Sequence, residues 1–134
     1  MQGPATFRFQ LDMRSGVPVY RQIMDQILGG VAAGRLAAGD QLPTVRQLAV
    51  DLAINPNTVV RAYRELEIRG MLSTQQGTGT FLSAQKPKQE DGERERRVAQ
   101  LVAELLAKAG ADGIGLTEIM EHLSERIAEQ KRRP

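Results

Sequence analysis

The chain has 134 residues, 41% of them hydrophobic, no cysteine, and a net charge of +2 from 18 basic and 16 acidic side chains. That length holds one ordinary domain, or one small domain with an appendage, and argues against a large catalytic architecture, while the lack of cysteine excludes a disulfide framework and a zinc-thiolate cluster. No stretch approaches the eighteen or so unbroken apolar residues of a membrane span and the amino end lacks the basic-then-apolar order of a signal peptide, so a soluble, cytoplasmic protein without a membrane partner is expected.

Residues 1–17 lack a helical period. Phe7, Phe9 and Leu11 alternate with Arg8 and Gln10, as in a short edge strand, until Ser15-Gly16 breaks the run, so this stretch reads as an arm. Pro18 suits a first helical position, and Tyr20, Ile23, Ile27 and Val31 repeat every three or four residues up to Gly34, which predicts a first helix. Gly39-Asp40 then turns the chain. Thr44 followed by Gln47 makes a capping box, and a second helix is expected over about 45–52 with Val45, Leu48, Ala49 and Leu52 on its buried stripe. Asn55-Pro56 pairs an N-cap residue with proline at N1, and Val59, Ala62, Tyr63 and Leu66 carry a third helix to Gly70. Two short helices joined by so tight a turn predict a helix-turn-helix. Residues 71–74 and 80–83 flank Gln75-Gln76-Gly77-Thr78-Gly79, a strand-loop-strand pattern that supplies a wing.

From Gln85 to Arg97 the composition shifts to Lys, Glu, Asp, Gln, Pro and Gly, an exposed linker grading into a helix start. Val98, Leu101, Val102, Leu105, Leu106 and Ala109 then form one apolar face, residues 110–115 break it, and Leu116, Ile119, Met120, Leu123 and Ile127 form another. Two such helices cannot bury both faces alone, and the width of the stripes favours a second subunit, with Leu101, Leu105, Ile119 and Leu123 as dimerisation residues. Charge placement adds to this division. Before Ala84 there are eight Arg, no Lys and six acidic residues, whereas the remainder carries ten basic and ten acidic. Arginine alone in the front half suits phosphate and guanine, with which the planar guanidinium pairs bidentately.

Specific residues now join the order of elements: Pro18-Val19-Tyr20-Arg21-Gln22-Ile23, Gly34-Arg35-Leu36, and the run Gly39-Asp40-Gln41-Leu42-Pro43-Thr44-Val45-Arg46-Gln47-Leu48-Ala49. These continue in Asn55-Pro56-Asn57-Thr58-Val59, Ala62-Tyr63, Leu66-Glu67, Gly70 and Gly77-Thr78-Gly79-Thr80-Phe81. Over about residues 9–82 the chain resembles the GntR family of bacterial transcription regulators. The Asn-Pro-Asn-Thr start of the third helix and the brief helical tail resemble its YtrA subfamily. The resemblance implies a mostly α fold with a small β-hairpin wing, and a tail too small for the larger effector domains of other subfamilies. The expected organisation is an arm over 1–17, a winged helix-turn-helix DNA-binding domain over 18–84, a linker over 85–97 and a two-helix dimerisation segment over 98–134.

By motif position, the resemblance also implies contact with double-stranded DNA by Arg46 in the second helix, by Asn55, Asn57 and Thr58 at the start of the third, and by Gln76 and Gly77 in the wing. Arg61, one turn further along the third helix, is added on physical grounds as a groove or phosphate ligand. Many relatives place an arginine where this chain has Val60, so no base contact is carried onto that position. Each assignment has a plainer structural counterpart. Asn55 is first an N-cap, Thr58 partly a helix-start residue, and Gly77 and Gly79 are what a tight hairpin requires. Tyr20 and Tyr63 lie on apolar stripes and are read as core, with the Tyr20 hydroxyl in reach of a phosphate. The single histidine, His122, is read as a surface residue rather than a metal ligand.

The function expected is sequence-specific regulation of transcription, as a homodimeric repressor on a pseudo-palindromic operator. No cofactor or metal is expected, and the tail carries no ligand fingerprint from which a small-molecule effector could be named. Three other readings compete. A winged helix can serve as a protein-interaction module, since fold does not fix function. The front end of a MocR-type fusion would need an aminotransferase-like domain for which the chain has no room. An enzyme would need a nucleophile and base, but the paired carboxylates such as Glu93 and Glu95 sit in a solvated charge run.

Overall fold

Ile23 and Ile27 lie fully buried on one face of α1 (Val19–Ala32) in the computed structural model, which describes residues 7–83 and 91–132. The chain divides into two units, Met1–Lys86 and Pro87–Pro134. In the first, α1 is followed by α2 (Val45–Leu52), α3 (Pro56–Ile68) and a hairpin of β1 (Leu72–Gln75) and β2 (Gly79–Leu82). Pro18 stands at the N-cap of α1 rather than at its first helical position. Its backbone is extended, yet its carbonyl already accepts from the amides of Arg21 and Gln22. A proline there offers no side-chain cap, so that carbonyl is what it contributes.

The capping box at α2 is formed in both directions: Gln47 N donates to Thr44 Oγ1 at 3.0 Å, and Thr44 N donates to Gln47 Oε1 at 3.1 Å. Leu48 and Ala49 are buried beneath it, while Val45 and Leu52 are half-buried against the core. The helix ends on Ala53 in the left-handed region, with φ 55°. There the amide of Ile54 reaches Ala49 O at 3.0 Å, which closes the helix and turns the chain into Asn55 within two residues. Asn55 Oδ1 accepts from the amide of Asn57 at 2.8 Å and Pro56 occupies N1. From there Val59, Ala62, Tyr63 and Leu66 turn inward, so that α3 packs on α1, α2 and β1 and forms the centre of the core.

The hairpin is antiparallel, with Leu72 opposite Leu82 and Gln75 opposite Gly79. Residues 39–42, read from the sequence only as a turn, also line β2. Leu42 N donates to Thr80 O, Leu82 N to Asp40 O and Gly39 N to Leu82 O, each at 2.9 Å, and Gln41 bridges Phe81. Gln41 further donates its side-chain amide to Thr78 O at 3.0 Å. Gly79, at φ 133°, leaves the space for it: a Cβ there would lie 2.5 Å from Gln41 Nε2.

Of the arm, residues 1–6 lie outside the described residues. Residues 7–11 alternate in burial as a strand would, Phe7, Phe9 and Leu11 half-buried and Arg8 and Gln10 exposed, but they form no strand. Side-chain amides of α1 take the place of a partner strand. Gln26 accepts from Gln10 N at 2.8 Å and donates to Gln10 O. Gln22, one turn earlier and buried, accepts from Asp12 N at 2.8 Å and donates to the carbonyls of Asp12 and Val17 at 2.9 Å. Phe7 and Phe9 meet edge to face at 5.1 Å. A Cβ on Gly30 would lie 2.5 Å from the Phe7 ring, so the bare backbone there is what lets the arm approach α1.

The second unit holds α4 (Asp91–Ala111) and α5 (Leu116–Arg132). The helix therefore starts seven residues before Val98. Gly113, at φ 73°, and the amide of Ile114 bonded to Ala109 O at 2.8 Å turn the chain between them. Ala109 is buried and Ile119 half-buried, while Leu101, Leu105 and Leu123 remain 44–46% exposed, as are Val98, Val102, Met120 and Ile127 to similar or greater extents.

Candidate nucleic-acid interface

The outward face of α3 follows from its inward one. With Val59, Ala62, Tyr63 and Leu66 committed to the core, the opposite side is occupied by Asn57, Arg61 and Arg64, at intervals of four and three residues. All three are exposed. The helix begins beside this face with its positive dipole end, which favours an anion, although Pro56 has no amide hydrogen and the amides of Asn57 and Thr58 are taken up by Asn55. Asn55 spends its side-chain oxygen on the cap and is exposed; Thr58 is half-buried and donates its amide to Asn55 O at 3.0 Å.

Arg46 is exposed at the second position of α2. Its helix is fixed to α3 by a half-buried bond: the Tyr63 hydroxyl donates to Pro43 O at 2.8 Å, directly before the Thr44 cap. Burial of that phenol pushes its pKa well above the ordinary tyrosine value, since the phenolate would lose its solvation. Tyr63 is thus core, as its stripe predicts, and also sets the start of α2 against α3. At the other end of the surface, Gln76 and Gly77 are exposed at the hairpin tip, closed by Thr78 N on Gln75 O at 3.0 Å with Gly77 at φ 82°.

The Arg61 guanidinium lies over the Tyr20 ring, 3.8 Å from its centroid. Tyr20 belongs to the first turn of α1 and is half-buried. The apolar stripe placed it in the core and gave no sign of this contact, because its partner is 41 positions away in the chain. Arg64 could have been found, since it continues the spacing of Asn57 and Arg61. His122 is exposed beside Glu125 at 4.0 Å, and among the described residues no group of three His, Cys, Asp or Glu could hold a metal ion. No helix among them is long and apolar enough to cross a membrane.

Two packed helices and a hairpin beside them define a protein of the winged helix-turn-helix class. Residues 19–82 match the model of the gntR family of bacterial regulatory proteins. Over 122 residues the chain is 34% identical to the HTH-type transcriptional repressor YtrA of Bacillus subtilis, covering 91% of this chain and 94% of that one. Among solved structures, YtrA from Sulfolobus acidocaldarius, a GntR-family transcription factor, is 33% identical with a TM-score of 0.54 over 72% of this chain and 97% of that one. A transcriptional antiterminator from Listeria monocytogenes is 29% identical with a TM-score of 0.61, over 90% and 92%. The chain belongs to the GntR family. The family and these relatives are regulators of transcription and not enzymes.

Proposed function

We propose that the chain is a repressor that binds a pseudo-palindromic operator as a homodimer in the cytoplasm. The observation that carries the reading is the exposed face of α3, where Asn57, Arg61 and Arg64 stand behind a capped helix start on a rigid core. In this reading the start of α3 enters the major groove, where amide side chains can pair with adenine and guanidinium groups with guanine. Arg46, Asn55, Thr58 and the wing residues Gln76 and Gly77 contact the duplex around it. Phosphate contacts supply affinity and make it salt-dependent, whereas each good base contact adds roughly 1–3 kcal/mol of discrimination.

Dimerisation through α4 and α5 is supported by their apolar side chains, which the chain itself leaves about half exposed. A two-fold axis would set two copies of α3 into successive major grooves about 34 Å apart. Selection from a pool of random duplexes tests the reading. The enriched sequences should form an inverted repeat with half-sites about one helical turn apart, and Arg46→Ala should bind them at least about fivefold more weakly. A pool that returns no enriched sequence would overturn it.

A further inference from the structure

We infer that Tyr20 is a positioning residue for DNA binding: its ring is the platform that holds Arg61 ready for the duplex. The inference rests on the proposed role of the α3 face. An arginine on an exposed helix face samples many rotamers, and ordering its side chain on binding costs conformational entropy. Here the guanidinium is already placed, 3.8 Å above the centre of an aromatic ring. The ring is itself fixed. It sits half-buried in the first turn of α1, and α1 packs directly on α3.

Three features make this a device for binding rather than a packing contact alone. Among the described residues no carboxylate pairs with Arg61. Stacking occupies the flat face of a guanidinium and leaves its in-plane N–H groups free to donate, and those are the groups that reach phosphate oxygens or the guanine edge. Arg61 also shares its face with Asn57 and Arg64, opposite the buried stripe, so a duplex held by Asn57 meets it one turn later. The tyrosine hydroxyl plays no part in the stack. Ring area is what the arrangement needs.

The test is a two-by-two cycle on the homodimer, read by fluorescence anisotropy with the duplex enriched in the selection and a scrambled duplex as control. Arg61→Ala should weaken binding at least about fivefold. Tyr20→Leu should weaken it about two- to fivefold, the worth of an exposed cation–π contact. Tyr20→Phe, which keeps the ring, should restore it to within about twofold, and Tyr20→Leu should cost nothing further in the Arg61→Ala protein. Additive losses, or a Tyr20→Leu protein that binds as tightly as the wild type, would overturn the proposal.

A readout in the unmutated protein guards against a Tyr20→Leu variant that does not fold. Proton resonances of the Arg61 side chain should show upfield ring-current shifts both free and bound to the duplex, and their loss on binding would overturn the proposal. Should Arg46→Ala weaken binding while Arg61→Ala does not, this inference fails and the regulator reading stands. Should the wild type fail to prefer the enriched duplex, both fail.

Discussion

Tyr63 carries its hydroxyl into the core and donates it to Pro43 O, and this single polar group ties the loop before α2 to the middle of α3. Its raised pKa has a consequence for stability. The folded state holds the phenolic proton more tightly than the unfolded chain, whose tyrosines titrate near 10. The contribution is fully present below about pH 10 and is lost as pH rises from there toward the folded pKa. Tyr63→Phe should therefore lose about 1 kcal/mol at neutral pH, for one hydrogen bond and an unpaired carbonyl, and show a flatter decline of stability above pH 10. Denaturant melts of both proteins at pH 7, 9 and 11 check this; a parallel decline in the two would contradict it. That Tyr63 is buried was legible from its three- and four-residue spacing to Val59 and Leu66. Its bond to Pro43, twenty positions away, was not, because no local pattern encodes it. The same limit hid the Tyr20–Arg61 stack and the clasp of Gln22 on the arm.

At the scale of elements, what short-range chemistry dictates was readable and what distant pairing dictates was not. The capping box at Thr44 and the Asn55-Pro56 start of α3 each need only neighbours within three residues, and both are formed. Residues 39–42 line β2 only because the chain returns about forty positions later, so their glycine and aspartate signalled a turn and no more. In the arm, an alternating pattern reported burial correctly but not the hydrogen-bond partner, which proved to be glutamine side chains. The turn between α2 and α3 holds one local conflict, Ala53 at φ 55°. Left-handed backbone costs an alanine about 1–2 kcal/mol, whereas glycine loses about 0.5–1 kcal/mol of chain entropy relative to alanine on folding. The strain outweighs the entropy, so Ala53→Gly should raise stability by about 0.5–1 kcal/mol, seen as a higher melting temperature; a lower one would mean the turn relaxes without help.

Across the whole molecule the two units differ in how they satisfy themselves. The first gathers a buried apolar core around α3. In the second the apolar stripes of α4 and α5 stay about half exposed, including three of the four residues picked from the sequence for dimerisation, and Ile119 is half-buried. The period of those stripes was plain in the sequence, but a period names a face and not its occupant. If a second copy covers them, Leu105→Asp combined with Ile119→Asp should give monomers by sedimentation whose winged helix still melts cooperatively. An unchanged dimer would contradict that assignment. The residues proposed to face DNA were picked for a related reason: helix starts and turns have strong local signatures, whereas the identities of exposed side chains such as Arg61 and Arg64 follow no folding rule and name no base.

The proposed function depends on recognition of a particular DNA sequence by α2 and α3. The most direct measurement is a mobility shift on the DNA upstream of the chain's own gene and on the enriched duplex, with scrambled competitor, at several salt concentrations, comparing the wild type with Arg46→Ala. Saturable binding to the enriched duplex that survives competitor, weakens with salt and falls at least about fivefold in Arg46→Ala is the predicted result. Equal affinity for the enriched and scrambled duplexes, or no loss in Arg46→Ala, would contradict it.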